Sequence, residues 1–374
     1  MPSFSRERPL RVAHLIYGWT LGGLEQLVVE LCVLGRAQGV ESMIISFGPD
    51  GPMRHAAADK GIATHWIEGA GLEPHTLLAI RRAVARFDAE VLHAHDLGPW
   101  LNAVAVRASR PATQVVATFH QMEIPEGAKR HAATLAAAAT GALVACGTEV
   151  RERLELWAPR FARKLTIGNG VRLGATGDRA KARERLGIPS EAITVGYLGR
   201  MAEVKGPDLL LAAFLAAFAN RPEVHLAMVG EGPMLESLRA SANGQPNVHL
   251  PGPIVDAQAL LGAFDVYAQT SLSEGRSLAM LEAMAAGLPT LAHDLAGVRE
   301  IHSDKTALLV PAGDRGALRA GLERLVADPG LREALGAAAR REVRRYGIDV
   351  TLDAYLDLYR ALARGAALPI EAGA

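Results

Sequence analysis

Short β-rich runs alternate with longer helical patterns almost from end to end of this 374-residue chain. No other feature constrains the fold as much, because strand and helix in strict alternation close into parallel sheets built from βαβ units. The first half carries expected strands at 11–17, 43–47, 64–67, 91–95, 115–120, 143–147 and 164–168, each short and largely apolar, as in a sheet covered on both faces. Between 169 and 189 the pattern breaks into Gly-Asn-Gly, Gly-Ala-Thr-Gly-Asp and a charged stretch, which reads as a linker region. A second series follows at 193–198, 225–229, 248–250, 266–270, 289–293 and 307–310. The fold class is therefore α/β, with two Rossmann-like βαβ domains. The tail at 348–363 places Leu352, Tyr355, Leu356, Tyr359 and Leu362 at helical spacing, so it should lie against one of them. The expected domains are 1–170 together with 348–374, and 171–347.

Composition narrows the function classes. Lys plus Arg equal Asp plus Glu at 40 each, so no net field draws the chain to nucleic acid. The apolar stretches at 132–146 and 209–219 fall short of the ~20 residues a membrane span requires. Arg6, Arg8 and Arg11 precede a short apolar run with no small-residue cleavage site, so the N-terminus reads as structure rather than a leader. Two cysteines, Cys32 and Cys146, read as small core residues and fit a reducing cytoplasm. At 75–87, Leu77, Ile80, Val84 and Phe87 share one helical face and Arg81, Arg82 and Arg86 the other. Such a helix could rest on an anionic membrane surface or cover a sheet with its charges in water, and the neutral net charge favours the second.

The chemistry concentrates in the segment from Ser271 to Pro289. Glu274 and Glu282 are eight residues apart, which one continuous helix would separate by about 80° of rotation. A loop followed by a helix serves better. Ser277 is a natural N-cap for a helix over 278–286, and Gly287 with Pro289 stops it. Glu274 then precedes the helix N-terminus, whose free amides attract phosphate, and Glu282 sits inside it, able to accept hydrogen bonds from a ribose diol. Gly275, Arg276, Ser277 and Leu278 line that entry. After the strand at 193–198 come Gly199, Arg200 and Lys205, cations at the carboxyl edge where parallel sheets bind ligands. They could neutralise a diphosphate or be two ordinary solvated charges. There is no Asp-x-Asp metal motif, and no metal or cofactor is expected.

In the first half Gly22 and Gly23 link a strand to a helix, where backbone amides could approach a diphosphate, though G-x-G-x-x-G spacing is absent. His93, His95, Asp96 and His120 end neighbouring strands and read better as a polar wall than as a metal site, with His120 the member to single out. Trp19 and Trp100 stand in neighbouring loops and could stack on a sugar or acceptor or pack in a core; Gln121 follows His120.

Together these residues resemble the family-4 glycosyltransferases, retaining enzymes of GT-B architecture that use nucleotide sugars. The likeness covers nearly the whole chain. It is most specific over Glu274 to Pro289, and at Gly199-Arg200 with Lys205-Gly206; Gly22-Gly23, His120 and Leu309 to Asp314 agree in order. It implies a donor domain and an acceptor domain facing across a cleft, and a C-terminal helix crossing back to the first. It further implies that Arg200 and Lys205 hold the donor diphosphate with the amides of Gly23 and of Ser277-Leu278, that Glu282 takes the ribose, and that Glu274 contacts the transferred sugar. The base would lie near Gly230, Glu231, Pro253 and Ile254, and His120 beside the reacting carbon. Retention in this family is explained by front-face displacement, without metal. Arg276 departs from the apolar residue common after the Glu-Gly pair. Implied partners are a UDP- or GDP-sugar and a saccharide, lipid-linked or small-molecule acceptor. Other readings are a nucleotide-sugar epimerase of the same fold and a non-catalytic nucleotide-sugar binding protein.

Overall fold

The computed structural model describes residues 8–120, 127–158, 161, 163–174 and 177–368. The chain divides into two compact units, one of 1–20, 24–168 and 351–374, the other of 21–23 and 169–350.

The first unit follows the order β1 (Leu10–Ile16), α1 (Gly23–Ala37), β2 (Val40–Ser46), α2 (Pro52–Asp59), β3 (Ala63–Trp66), α3 (Pro74–Phe87), β4 (Val91–His95), α4 (Leu97–Ala108), β5 (Gln114–Phe119), α5 (Gly127–Ala138), β6 (Ala142–Ala145), α6 (Thr148–Trp157) and β7 (Lys164–Thr166). Its seven strands are all parallel, in the order β3-β2-β1-β4-β5-β6-β7. The strand sequence reverses direction between β1 and β4, and ligands of open α/β sheets bind at the carboxyl ends beside such a switch point. Helix α3 turns Ile80 and Val84 into the core and leaves Arg81, Arg82 and Arg86 exposed, as a sheet-covering helix does.

The second unit runs α7 (Arg179–Leu186), β8 (Ile193–Leu198), α8 (Pro207–Phe218), β9 (Val224–Val229), α9 (Leu235–Ala242), β10 (Val248–Gly252), β11 (Val266–Gln269), α10 (Leu278–Ala286), β12 (Thr290–His293), α11 (Ala296–Arg299), β13 (Ala307–Val310), α12 (Arg315–Ala327) and α13 (Pro329–Glu342). Its six parallel strands are ordered β10-β9-β8-β11-β12-β13, so the switch point lies between β8 and β11. Within the segment read as a linker, α7 is a capped helix. Asp178 accepts from the Lys181 amide at 3.1 Å, Gly187 ends it at φ 68°, and buried Arg183 bonds Asp265 at 2.9 Å. Its sequence, Arg-Ala-Lys-Ala-Arg-Glu-Arg-Leu, has no apolar stripe, which hides the helix from periodicity.

Helix α14 (Ile348–Arg364) begins in the second unit and from Thr351 onward belongs to the first. Leu352, Tyr355, Leu356, Tyr359 and Leu362 are buried, as their spacing predicts. Among the described residues no helix is long and apolar enough to cross a membrane.

Candidate nucleotide-sugar site

The loop after β11 and the turn after β8 meet at the switch point of the second sheet. Lys205, which closes a short 3-10 turn, donates to both oxygens of Glu274, at 2.8 and 2.9 Å. Glu274 is only 6% exposed, so this is a desolvated ion pair rather than a solvated contact. Two further donors complete the carboxylate: Gln269 Nε2 and Ser271 Oγ each reach Oε2 at 2.7 Å. Gln269 is itself held by the Tyr267 hydroxyl at 2.7 Å. A buried charge is tolerated when its oxygens find donors, and both do here, Oε1 one and Oε2 three. An ammonium has three donors, and Glu274 engages the group through a single Lys205 face. Arg200, in the same turn, is exposed and forms no ion pair among the described residues.

Helix α10 has the bounds the sequence predicts. Ser277 caps it, accepting from the Met280 amide at 3.4 Å, and Gly287 at φ 74° ends it. Glu282 lies in its second turn. Part of its surface reaches solvent, yet the surrounding protein desolvates its carboxyl, and that burial raises its pKa to about 8. The turn after β8 is stitched to that after β9, with the Met201 amide donating to the Glu231 carbonyl at 2.7 Å. Gly230 permits this approach: it sits at φ 148°, and a Cβ there would stand 1.9 Å from the Gly199 carbonyl oxygen. The Gly230 amide in turn donates to Gly252, just before Pro253 and Ile254. The backbones of Gly199, Gly230, Glu231 and Pro253-Ile254 are thus one connected rim.

Arg276 does not point into solvent. Its guanidinium bonds Glu300 at 3.3 Å and lies 5.3 Å over the Tyr346 ring, which ties it within the second unit. The guanidinium is thus engaged by side chains of its own unit. Gly275 is half-buried beside it, and Leu278 opens α10.

Gly22 precedes α1 and Gly23 opens it, and both are grouped with the second unit although the rest of α1 belongs to the first. His120 follows β5, its amide donating to Asp96 Oδ1 at 2.8 Å. Asp96 adopts φ 68°, a left-handed conformation that costs a non-glycine residue energy and recurs where geometry is functionally over-determined. Trp19 and Trp100 are corrected: both are 0% exposed. Trp19 packs with Ile16, Val28, Ile44 and Ala57. Trp100 stands edge-to-face with Phe119 and Trp157, its indole N–H donating to Thr140 at 2.8 Å. Neither ring is available to stack on an acceptor. Gln121 lies outside the described residues.

His14, His93 and His95 bring ring nitrogens within 4.8 Å of one another, close enough to consider an ion. Both nitrogens of His93 are already used, by the hydroxyls of Tyr359 at 2.5 Å and Thr118 at 2.7 Å, and His14 bonds His95 at 3.2 Å. Both nitrogens of His93 and of His95, and Nδ1 of His14, are therefore engaged in hydrogen bonds.

Sequence reading missed Gln269 and Tyr267 as parts of the Glu274 site. The signal was present as a glutamine ending an otherwise apolar buried strand, a position that demands polar partners.

Two family models match the chain, one described as Glycosyltransferase Family 4 over residues 21–174 and the other as Glycosyl transferases group 1 over residues 192–328. The chain is 29% identical to a phosphatidyl-myo-inositol mannosyltransferase of Mycobacterium leprae, over 91% of this chain and 94% of that protein. It is 28% identical to a D-inositol 3-phosphate glycosyltransferase of Kribbella flavida, over 77% of this chain and 76% of that one. Among solved structures, Anabaena Alr3699/HepE in complex with UDP and glucose aligns with a TM-score of 0.82 at 16% identity, over 94% of this chain and 100% of that chain. Sucrose-phosphate synthase from Thermosynechococcus elongatus aligns with a TM-score of 0.76 at 20% identity, over 96% and 100%. With one family model on each Rossmann-like half and the fold shared end to end, the chain belongs to the family-4 glycosyltransferases of GT-B fold, enzymes that take their sugar from a nucleotide sugar.

Proposed function

We propose that the chain is a retaining hexosyltransferase that moves a sugar from a UDP- or GDP-sugar to a saccharide, lipid-linked or small-molecule acceptor, by front-face displacement and without a metal. The observation that carries this reading is the buried Lys205–Glu274 pair at the switch point of the second sheet, with exposed Arg200 in the same turn. Arg200 and Lys205 are assigned to the donor diphosphate, helped by the amides that open α10 and by those of Gly22 and Gly23. Glu282 is assigned to the ribose hydroxyls, the rim of Gly199, Gly230, Glu231, Pro253 and Ile254 to the base, and Glu274 to the transferred sugar. His120 is assigned to the same sugar.

In this mechanism the bond from the anomeric carbon to the diphosphate oxygen breaks and the bond to the acceptor oxygen forms on the same face. The acceptor proton passes to the departing phosphate. What the protein supplies is charge stabilisation of that leaving group, and removing one such donor typically costs about 3–4 kcal/mol of barrier. Residues 171–347 are proposed as the donor domain, and 1–170 with 348–374 as the acceptor domain. Cys32 and Cys146 are buried and outside any disulfide, which suits a reducing compartment, and the cytoplasm is the proposed location.

The names of two similar proteins carry phosphatidyl-myo-inositol and D-inositol 3-phosphate, so acceptors of both kinds belong in the first panel. UDP-glucose, UDP-N-acetylglucosamine and GDP-mannose would each be incubated with inositol 3-phosphate, phosphatidylinositol vesicles and simple glycosides, with nucleotide release and product anomer followed by NMR. The expected result is release with one donor and a product of unchanged anomeric configuration. Inversion would remove the mechanism. Conversion of donor without acceptor into an isomeric nucleotide sugar would replace transfer by epimerisation, and absence of both binding and release would remove the reading altogether.

A further inference from the structure

The first unit contains a line of imidazoles behind His120 that the proposed chemistry leaves unused. His14 on β1 places Nδ1 3.2 Å from Nε2 of His95 on β4, and His95 places Nδ1 3.2 Å from Nε2 of His120. Successive ring planes lie 18° and 25° from parallel, with centroids 5.5 Å apart at both steps, as in rings joined edge to edge through their nitrogens. His14 and His95 are 3% and 1% exposed, so the line runs inward from His120 into the sheet. His93, two residues before His95, flanks it at a centroid distance of 4.1 Å. Tyr359 and Thr118 pin that flanking ring, and Tyr355 holds Thr118 at 2.9 Å. Asp96, in its left-handed conformation, fixes the backbone of His120 from the other side.

A neutral imidazole carries one N–H and one acceptor nitrogen. Between two such rings only one proton can lie, so three rings in line share a single proton register: all N–H groups point towards His120 or all point away. We propose that His95, backed by His14, is a positioning residue for His120, fixing both the plane of its ring and which of its nitrogens carries the proton. Burial supports the neutral forms, pushing His14 down to about 4 and His95 well below the ordinary histidine value. The effect on catalysis rests on the assignment of His120 to the transferred sugar; the effect on its tautomer does not.

The test uses the full chain with 15N-labelled histidine. His120 is assigned by the signal lost in His120→Ala, and its two ring nitrogens should show a single tautomer. His95→Phe keeps a ring in the buried site and removes both hydrogen bonds. It should average the His120 nitrogen signals and slow nucleotide release from the best donor of the three-sugar panel about tenfold, with donor KM changed less than about threefold. His95→Asn retains a polar group where Nδ1 faces His120 and should recover most of the lost rate; it also serves if His95→Phe fails to fold. The pair His95→Phe with His120→Ala should be no slower than His120→Ala alone, because His95 acts only through His120. Unchanged His120 nitrogen signals in a folded His95 variant would overturn the proposal. So would a further tenfold loss in the double variant, or one equivalent of zinc held by the wild type and lost with His95. If His120→Ala leaves turnover intact, the sugar assignment fails while the nitrogen signals still decide the positioning claim.

Discussion

Replacing Lys205 by methionine keeps the unbranched stem, one atom shorter, and removes the charge from a carboxylate that is 6% exposed. Deleting one partner of a buried ion pair costs about 3–5 kcal/mol, because the survivor stays buried and uncompensated. Glu274 would still accept from Gln269 and Ser271, which places the expected loss at the lower end, about 3 kcal/mol. For a unit of this size each kcal/mol is worth about 2–4 °C, so its unfolding transition should drop by about 6–12 °C in calorimetry. Adding Glu274→Gln removes the stranded charge and should restore more than half of that. Turnover behaves differently: if Lys205 also holds the diphosphate, both variants lose about a hundredfold or more in nucleotide release. The double variant therefore regains stability without regaining activity. A Lys205→Met protein melting within about 2 °C of wild type, or a double variant no more stable than the single one, would refute the account of the pair.

Glu282 should give the second unit a distinctive pH dependence. Its folded carboxyl titrates near 8 against 4.5 unfolded, so its contribution to stability is whole below about pH 4.5 and is lost progressively as pH rises to about 8. Melting curves of wild type and Glu282→Gln across that range should converge at one end and part by up to a few kcal/mol at the other; parallel curves would contradict it. Gly297 lies directly under the site loop, where a Cβ would stand 1.9 Å from the Glu274 carbonyl oxygen. Gly297→Ala should displace that loop and weaken nucleotide binding about tenfold or more by calorimetric titration, and unchanged affinity would count against the loop's role. Arg276→Ala breaks the Glu300 bond and the contact with Tyr346, costing about 1–2 kcal/mol of stability but less than about threefold in donor affinity. A tenfold affinity loss at unchanged melting temperature would return Arg276 to the donor site.

Parallel strands covered on both faces must be apolar and short, which is why the βαβ series could be read along the chain. Helix α10 was legible for a local reason as well, since Ser277 and Gly287 mark its ends chemically. What escaped reading depends on contacts far apart in sequence. Lys205 and Glu274 are 69 residues apart, and nothing in either segment says that two residues assigned to different parts of a donor should bond each other. Arg276 and Glu300 meet only because α11 follows β12 on the same edge. Trp19 stands in a loop and Trp100 in the first turn of α4, where the direction of the side chain follows from packing, so a surface role and a core role look alike. His93 and His95 face one side of β4 by the strand period, but His14 joins them only because β1 pairs with β4.

The passage of α14 from one unit to the other has a consequence for synthesis. Domains generally fold as units while the chain emerges N-terminus first. Here the hydroxyl groups that pin His93 and Thr118 arrive from Tyr359 and Tyr355, which follow the whole of the second unit in the chain. The second unit, 169–350, is an almost contiguous stretch and can complete its core on the ribosome. The first is begun earlier and finished later, its buried polar network waiting until α14 has followed the second unit out.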